Sequence, residues 1–186
     1  GQWEVGVPAG SPSAHNGGSC AGTVLAGNYE NGADTRLISP PYALPSLAAC
    51  ETMRLRFWNW HRLFDYDQGS VEVSTLRNRI WGPWQTVRCG DPAYHGNNLV
   101  WTTPSIDLST YADSTIRIGF RFTSSRDYWG TPSEDLGWYI DDVEIVKGLQ
   151  WASFEWPAWG TFSGGQGDWA VDGGQWEVGR PTPFLP

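Results

Sequence analysis

The chain has 186 residues, of which 40% are hydrophobic and 17% are charged, so it is able to bury a core and is not a disordered polymer. Its formal net charge of -8 argues against nucleic acid as a partner, because binding to phosphates needs a basic surface. No apolar stretch is long enough to insert into a membrane as a spanning helix. With 23 Gly, 13 Pro and 13 Trp, the composition favours short strands joined by turns over helices.

A segment of eight residues occurs near both ends of the chain. Residues 1–8 read GQWEVGVP and residues 174–181 read GQWEVGRP, so seven of eight positions are identical at an offset of 173 (174 minus 1). Similarity at a fixed period indicates tandem modules in a longer polypeptide, although a turn duplicated within one domain would also explain it. We therefore predict that residues 1–149 form most of one module and that residues 150–186 open the next.

Between the two copies, apolar residues alternate with polar ones, which is the pattern of half-buried β-strands. The alternation is clearest in residues 53–60, 71–74, 115–122 and 139–145, and turn residues separate these segments. Residues 108–112 suit a short helix. We predict an all-β fold, a two-sheet antiparallel jelly-roll-like β-sandwich. The side chains predicted to fill its core are Leu55, Phe57, Val71, Val73, Ile116, Ile118, Phe120 and Phe122.

Seven segments follow one another in the order of a known family of modules. They are residues 20–29 (CAGTVLAGNY), 33–40 (ADTRLISP), 55–58 (LRFW), 67–74 (DQGSVEVS), 81–84 (WGPW), 106–112 (IDLSTYA) and 137–143 (GWYIDDV). These segments resemble bacterial extracellular modules related to the MAM (meprin/A5/mu-type) domain. The resemblance implies a jelly-roll-like sandwich that serves as an appendage of adhesins, secreted hydrolases and cell-surface proteins. It therefore implies an extracellular location, secreted or at the cell surface, and a structural or adhesive role without a reaction.

The resemblance also bears on the C-terminal segment. In modules of this family a strand with a Phe-Glu pair comes first and the Ile-Asp-Asp-Val strand comes last, whereas here Phe154 and Glu155 follow the last strand. Residues 1–149 would then lack their first strand, and residues 150–186 would supply the opening strands of the next repeat or complete the sandwich. We expect neighbouring copies of the module to be partners, with strand donation between copies linking them into filaments.

The residues that could carry chemistry do not form a recognisable catalytic motif. The chain has no HExxH, GxSxG or CxxC sequence and no glycine-rich phosphate loop. His15, His61 and His95 are isolated and are interpreted as ordinary surface or strand residues. Two carboxylates in one cleft would suit a glycosidase, but the acidic clusters lack an aromatic-flanked arrangement of that kind. We predict that the chain is not an enzyme.

Three cysteines, Cys20, Cys50 and Cys89, lack the spacing of a zinc site. One disulfide with a free thiol, or no disulfide at all, is compatible with this odd number, and the sequence does not select a pairing. A composition rich in Trp, Gly and Asn and poor in Lys favours an extracellular setting over a cytosolic one.

A structural calcium ion is predicted at the last strand. Asp141 has the same parity as Val143 and Ile145, so a regular strand would direct its carboxylate toward the core, where a charge needs a cation or hydrogen bonds. Calcium prefers six to eight oxygen ligands, and adjacent aspartates suit it. An arginine partner such as Arg36, or a β-bulge that turns Asp141 outward, is the alternative.

The resemblance places such an ion where the first and last strands of the sandwich meet. The two acidic residues of the turn after residue 64, Asp65 and Asp67, are interpreted as shaping a hairpin and not as metal ligands. The matching calcium ligands are Asp141, Asp142 and Glu155, with Asp34 as a weaker candidate.

Exposed tryptophans offer a second binding site. Trp58 and Trp60 lie on one face of a predicted strand, about 7 Å apart by strand rise, and this spacing suits a platform for sugar rings. Trp129 and Trp138 are added as candidates for a glycan-binding platform or cleft. Packing of these rings against loops or the neighbouring repeat would explain them equally well. Two functions therefore stand side by side: a structural or adhesive extracellular repeat, and a carbohydrate-binding module that holds a cell-surface glycan.

Overall fold

The structure, a computed structural model, describes residues 3–87, 94–125 and 134–149. These residues form β-strands and a single turn of 3-10 helix at Ser109–Tyr111, within the segment predicted to be helical. None of them forms a helix with the length and apolar character that crossing a membrane requires. The strands are β1 (Glu4–Gly6), β2 (Cys20–Gly22), β3 (Asp34–Ile38), β4 (Tyr42–Ala43), β5 (Glu51–Arg62), β6 (Gln68–Arg77), β7 (Ile80–Trp81), β8 (Gln85–Thr86), β9 (Asn97–Thr102), β10 (Ser105–Asp107), β11 (Thr115–Thr123) and β12 (Gly137–Leu149).

The strands of the described residues pair into two antiparallel sheets. Sheet A has the order β1-β2-β12-β5-β10, and β9 also pairs with β5. Sheet B has the order β3-β11-β6-β7, with β4 on β11 and β8 on β6. The predicted fold class, an all-β β-sandwich of two antiparallel sheets, is confirmed.

The core lies between the two sheets and contains the residues that the alternation predicted. All eight of them are at most 2% exposed. Phe57 from sheet A meets Phe120 from sheet B edge to face, with ring centroids 5.0 Å apart. The side chain of Trp138 is also wholly buried in this core, and its indole N–H donates to Asn59 Oδ1 over 2.6 Å. A buried indole needs such an acceptor, because an unpaired N–H would cost free energy.

A polar cluster closes one end of the core at the turn between β5 and β6. The Tyr29 hydroxyl donates to Asp67 Oδ2, and the Ser125 backbone N–H donates to Asp67 Oδ1 over 2.8 Å. Burial raises the pKa of Asp67, while these two hydrogen bonds oppose the rise. The Asp67 backbone N–H donates to the Phe64 carbonyl over 2.9 Å and closes the turn, whereas its carboxylate binds Tyr29 and Ser125.

The predicted direction of the Asp141 side chain is wrong because β12 contains a bulge. Asp141 is paired with Trp58, and the next pair is Glu144 with Arg56. Between these pairs β12 advances three residues while β5 advances two. Asp142 takes a positive φ of 46°, a conformation that aspartate tolerates better than most residues. One extra residue reverses the alternation, so Asp141 shares the outer face with Trp58.

The described residues end at Leu149, so residues 150–186 lie outside them. The division into residues 1–149 and 150–186, and the strand donation that it implies, therefore stay predictions. The second copy of the eight-residue segment lies in the same part of the chain.

Candidate functional site

The outer face of sheet A carries an aromatic cluster that a loop helps to build. Residues 7–19, here called the covering loop, lead from β1 to β2 and place His15 flat on Trp58, with ring centroids 3.7 Å apart and planes 16° apart. Trp101 meets His15 edge to face at 5.8 Å, and its indole N–H donates to the Ser13 carbonyl over 3.2 Å. One face of Trp58 is therefore occupied by a residue of the same chain.

Two aspartates of the β12 bulge hold this loop in place. Asp141 Oδ2 accepts the backbone N–H groups of His15, at 3.0 Å, and of Asn16, at 3.2 Å. Asp141 Oδ1 accepts the N–H of Asp142 over 2.8 Å. The Asp142 carboxylate lies 2.9 Å from His15 Nδ1. The loop is thus tied to the strand through backbone donors and through one ring.

These contacts bear on the predicted calcium ligands. Both oxygens of Asp141 already accept N–H groups, and donors aimed at a carboxylate are the wrong partners for a cation that prefers oxygen atoms. Asp34 lies on the other sheet, where Arg121 binds it with two hydrogen bonds of 2.8 and 2.9 Å, so it does not join Asp141. Glu155 lies outside the described residues. Within those residues, no three His, Cys, Asp or Glu side chains gather in a way that could hold a metal.

The predicted tryptophan platform is not formed as expected. Trp138 points into the core and is 0% exposed, because it lies on the inner face of β12. Trp60 is on the outer face with Trp58 but is only 4% exposed, since it packs in a small cluster with Cys20 and Tyr139, against which Ala14 of the covering loop also packs. Trp129 lies outside the described residues. Of the four predicted residues, Trp58 alone is seen partly exposed, with Trp101 beside it.

The small second core around Trp60 excludes water from two titratable groups. Burial raises the pKa of Cys20 to about 11, and the nearby charge of Asp141 adds to this effect. Burial likewise raises the pKa of Tyr139 to about 12. Cys20 and Cys50 are both free thiols, the first buried and the second exposed, while Cys89 lies outside the described residues. The buried thiol of Cys20 is therefore unsuited to nucleophilic chemistry at neutral pH.

The outer face of sheet B carries a second aromatic cluster. The guanidinium of Arg117 lies 4.5 Å from the ring centroid of Trp81 and 4.7 Å from that of Trp84. The guanidinium of Arg36 also lies 4.7 Å from the ring centroid of Trp84. These four side chains, here called the Trp-Arg ladder, alternate cation and ring. Gly119 makes room for them, because a Cβ there would lie 2.7 Å from Arg36 Cδ and 2.9 Å from a Trp84 ring carbon.

Two acidic residues balance the charge of the ladder and its neighbour. Glu72 is buried and its carboxylate lies 2.7 Å from Arg36 Nε and 3.9 Å from Arg121 Nη1. Arg121 also binds Asp34, and this hydrogen bond lowers the pKa of Asp34. Glu72 thus joins the ladder to Arg121 through Arg36, whereas Arg117 contacts the two rings and its Nε is buried without an acceptor among the described residues.

Sequence reasoning did not find the contacts of either cluster. The Trp81-Gly-Pro-Trp84 segment and the outward arginines of β11 were the visible signals for the ladder. Nothing in the sequence connects His15 with Trp58, since β2, β3 and β4 lie between them in the chain and they meet only through the order of sheet A. The expectation of an isolated His15 is therefore wrong in its contacts.

Comparison with known proteins gives one relative of similar sequence. Bacillopeptidase F of Bacillus subtilis (strain 168) is 36% identical over 145 residues, which cover 77% of this chain. The chain spans only 9% of the length of that relative. No family model matches the chain.

Two solved structures are similar in fold. TmCBM61 in complex with β-1,4-galactotriose is 18% identical, covering 78% of this chain and 82% of that chain, with a TM-score of 0.47. The K3 cleaved adhesin domain of Lys-gingipain from Porphyromonas gingivalis w83 is 14% identical, covering 77% and 90%, with a TM-score of 0.38. Similarities at this level do not transfer a ligand or a role to this chain. The resemblance to MAM-like modules and the tandem repeat stay predictions.

Proposed function

We propose that this chain is a non-catalytic module of a larger secreted or cell-surface protein, with a structural or adhesive role. The observation that carries the proposal is that the acids and histidines best suited to chemistry are used by the fold. Asp141 and Asp67 accept backbone N–H groups, Glu72 lies between two arginines, and His15 is stacked on a tryptophan. His61 is buried, and burial lowers its pKa.

A catalytic group must instead be free to meet a substrate in the correct protonation state. The match to 9% of the length of a peptidase supports an accessory role, since it covers a small part of that longer protein. The composition, with a single Lys and 13 Trp, supports an extracellular setting.

A hydrolysis assay tests the absence of catalysis. The whole chain is incubated with casein and with a panel of chromogenic glycosides, with and without Ca²⁺. We expect no turnover above the rate without protein. Turnover that copurifies with the chain, and that Asp141→Asn or Asp142→Asn abolishes while Asp34→Asn leaves it intact, would contradict the proposal.

Carbohydrate binding is the second candidate, and one observation favours it. Trp58 and Trp101 are both partly exposed on the outer face of sheet A, on either side of His15, and the carboxylates of Asp141 and Asp142 lie next to them. Aromatic faces and carboxylates together suit the apolar faces and hydroxyl groups of sugars. A sugar ring would have to stack on the faces of Trp58 and Trp101 that His15 does not cover, or displace the His15 ring.

A glycan array separates the two candidates. The wild-type chain is compared with Trp58→Ala and Trp101→Ala, and Trp84→Ala serves as the matched control on the opposite sheet. A glycan-binding module loses binding in the first two variants and keeps it in the control. No binding by any of the four proteins favours the structural module.

A further inference from the structure

Strand β1 is held at the edge of sheet A by a small set of contacts. Glu4, Val5 and Gly6 pair antiparallel with Gly22, Ala21 and Cys20. In addition, the carboxylate of Glu4 accepts the backbone N–H of Leu25 over 2.7 Å. Just before the strand, Trp3 packs on the core and meets Trp138 edge to face, with ring centroids 5.7 Å apart.

Gly6 and the residue after it show which positions tolerate change. A Cβ at Gly6 would lie 3.3 Å from the Leu25 side chain, so a larger residue there would crowd its neighbour. Val7 is 72% exposed and faces solvent. The strand is therefore defined by an aromatic anchor, a carboxylate, a small residue and backbone pairing, while the position of Val7 is open to other side chains.

Residues 174–181 repeat this set. The sequence WEVG of residues 3–6 recurs unchanged as residues 176–179. The repeat therefore includes the aromatic anchor, the carboxylate, a β-branched valine and the small residue. The one difference is Arg180 at the position that corresponds to Val7, and Val7 is exposed. The identity ends at Pro181, since residues 182–186 read TPFLP against AGSPS at 9–13 in the covering loop.

We propose that residues 174–181 are a second β1, which docks as the edge strand beside β2 on sheet A of a neighbouring copy. The inference rests on the proposed structural role of the chain, and it names the partner and the surface. Strand β1 comes shortly before β2 in the chain and occupies its own sheet at a high effective concentration. In a longer polypeptide, residues 174–181 precede the β2 of the next copy in the same way. Main-chain pairing supplies affinity, and the Trp pocket and the Glu177 carboxylate supply the register.

A cysteine trap tests this docking in the full-length chain. In a background of Cys20→Ala, Cys50→Ser and Cys89→Ser, one chain carries Ala21→Cys and a second carries Val178→Cys. Because Val5 is the partner of Ala21 in the register, Val178→Cys in the docked segment would lie opposite Ala21→Cys. A single chain with Val5→Cys and Ala21→Cys serves as the positive control for the register.

The matched negative control for the donor chain is Phe184→Cys, which lies just beyond the repeated segment. Under mild oxidation we expect an intermolecular disulfide with Val178→Cys at a yield at least about tenfold higher than with Phe184→Cys, because main-chain pairing in the register of β1 places only residue 178 opposite residue 21. Adding Trp176→Ala to the donor should lower the yield to that of the control, and adding Arg180→Val should leave it unchanged. Equal yields for Val178→Cys and Phe184→Cys, or no effect of Trp176→Ala, would overturn the docking.

Competition by the resident strand gives a second measurement. Trp3→Ala in the acceptor chain loosens β1, so the yield of the intermolecular disulfide should rise. If Trp3→Ala prevents folding, the disulfide yield with the acceptor that carries Ala21→Cys alone still tests the docking. Absence of the disulfide, together with absence of turnover in the hydrolysis assay, would reject the docking and leave the non-catalytic role standing.

Discussion

On sheet B the outer face is covered by side chains of the sheet and of its adjoining hairpin, whereas on sheet A a backbone loop does the covering. The Trp-Arg ladder lies across β11, β3 and the β7–β8 segment, and Gly119 leaves it space. The covering loop lies over β5 and β12, tied by Asp141 and by the stack of His15 on Trp58. Both faces therefore use the surplus of tryptophan within the chain itself.

The difference between the two outer faces indicates which of them is the more accessible to a ligand. In the ladder, Trp84 contacts the guanidinium groups of both Arg36 and Arg117, Trp81 contacts that of Arg117, and Arg36 is also paired with the Glu72 carboxylate. The covering loop is held by three contacts to two aspartates, by the stack of His15 on Trp58 and by two contacts to Trp101. Because it has no regular secondary structure, we expect it to be the cover that opens more readily. If a ligand binds to this module, we expect it at Trp58 and Trp101 and not at the ladder.

The largest loss of unfolding free energy is expected in the core between the two sheets. Phe57→Ala removes a ring that packs against Phe120 from the opposite sheet, and should lower the free energy of unfolding by about 3–5 kcal/mol. Urea unfolding followed by tryptophan fluorescence measures it. A loss below about 1 kcal/mol would contradict the assignment of β5, because an exposed site costs no more than that.

Removing one ring from each outer face sharpens the comparison directly. Trp84→Ala breaks contacts with two guanidinium groups and uncovers Gly119, so we expect a loss of about 2–3 kcal/mol. Trp58→Ala breaks one ring stack, and we expect about 1–2 kcal/mol. Thermal unfolding of both variants gives the order. A larger loss for Trp58→Ala would mean that the covering loop, and not the ladder, is the stronger cover.

The two aspartates of the bulge distinguish a hydrogen-bonded loop from a calcium site. Asp141→Asn replaces an oxygen that accepts N–H groups, so we expect a loss of about 1–2 kcal/mol, while Asp142→Asn should cost less than about 0.5 kcal/mol. Asparagine also tolerates the positive φ of residue 142. A chelator should leave the melting temperature unchanged, since a ligand that stabilises only the folded state would lower it on removal.

Equal losses in the two variants, together with a lower melting temperature in the chelator, would instead support the predicted calcium ion. Asp141 and Asp142 would then need further oxygen ligands, such as Glu155, from outside the described residues. The comparison of Asp141→Asn with Asp142→Asn therefore tests the predicted calcium ion.

The smallest effect is expected beside the ladder, at the ion pair of Arg121 with Asp34. The hydrogen bond from Arg121 holds the pKa of Asp34 below its ordinary value of 3.8, so the folded state binds this proton less tightly than the unfolded state. The stabilisation is therefore present above about pH 4 and is lost as the pH falls through the folded pKa. Asp34→Asn should cost a few tenths of a kcal/mol at pH 7, as for exposed pairs, and nothing at pH 2. A cost that is equal at both pH values would contradict the ion pair.

The fold was predictable because its long strands have a strict period of two. Phe57, Val73 and Phe120 are buried as the alternation requires, although the alternation does not specify which strands pair. The rule failed at Asp141, where one extra residue in β12 reverses the faces, and a bulge has no reliable sequence signal. It also could not reveal that Trp60 is buried in a cluster to which the covering loop contributes Ala14, because loops follow no period.

The candidate site was harder to predict for the same reason. His15 and Trp58 belong to segments that are far apart in sequence and meet only through the pairing of β2, β12 and β5. The ladder depends on side-chain packing across neighbouring strands, which the pattern of Arg and Trp suggests only in part. Pattern fixes the face on which a residue lies, whereas the contacts on that face depend on register and on loop paths.

Amide hydrogen exchange at His15 and Asn16 tests most directly whether the covering loop belongs to the fold. These two N–H groups lie in a loop without regular secondary structure, yet both donate to Asp141. We expect exchange at least about tenfold slower than in an unstructured peptide, with the protection lost in Asp141→Asn and kept in Asp142→Asn. Exchange of both amides at the unstructured rate in the wild-type chain would contradict a closed outer face on sheet A.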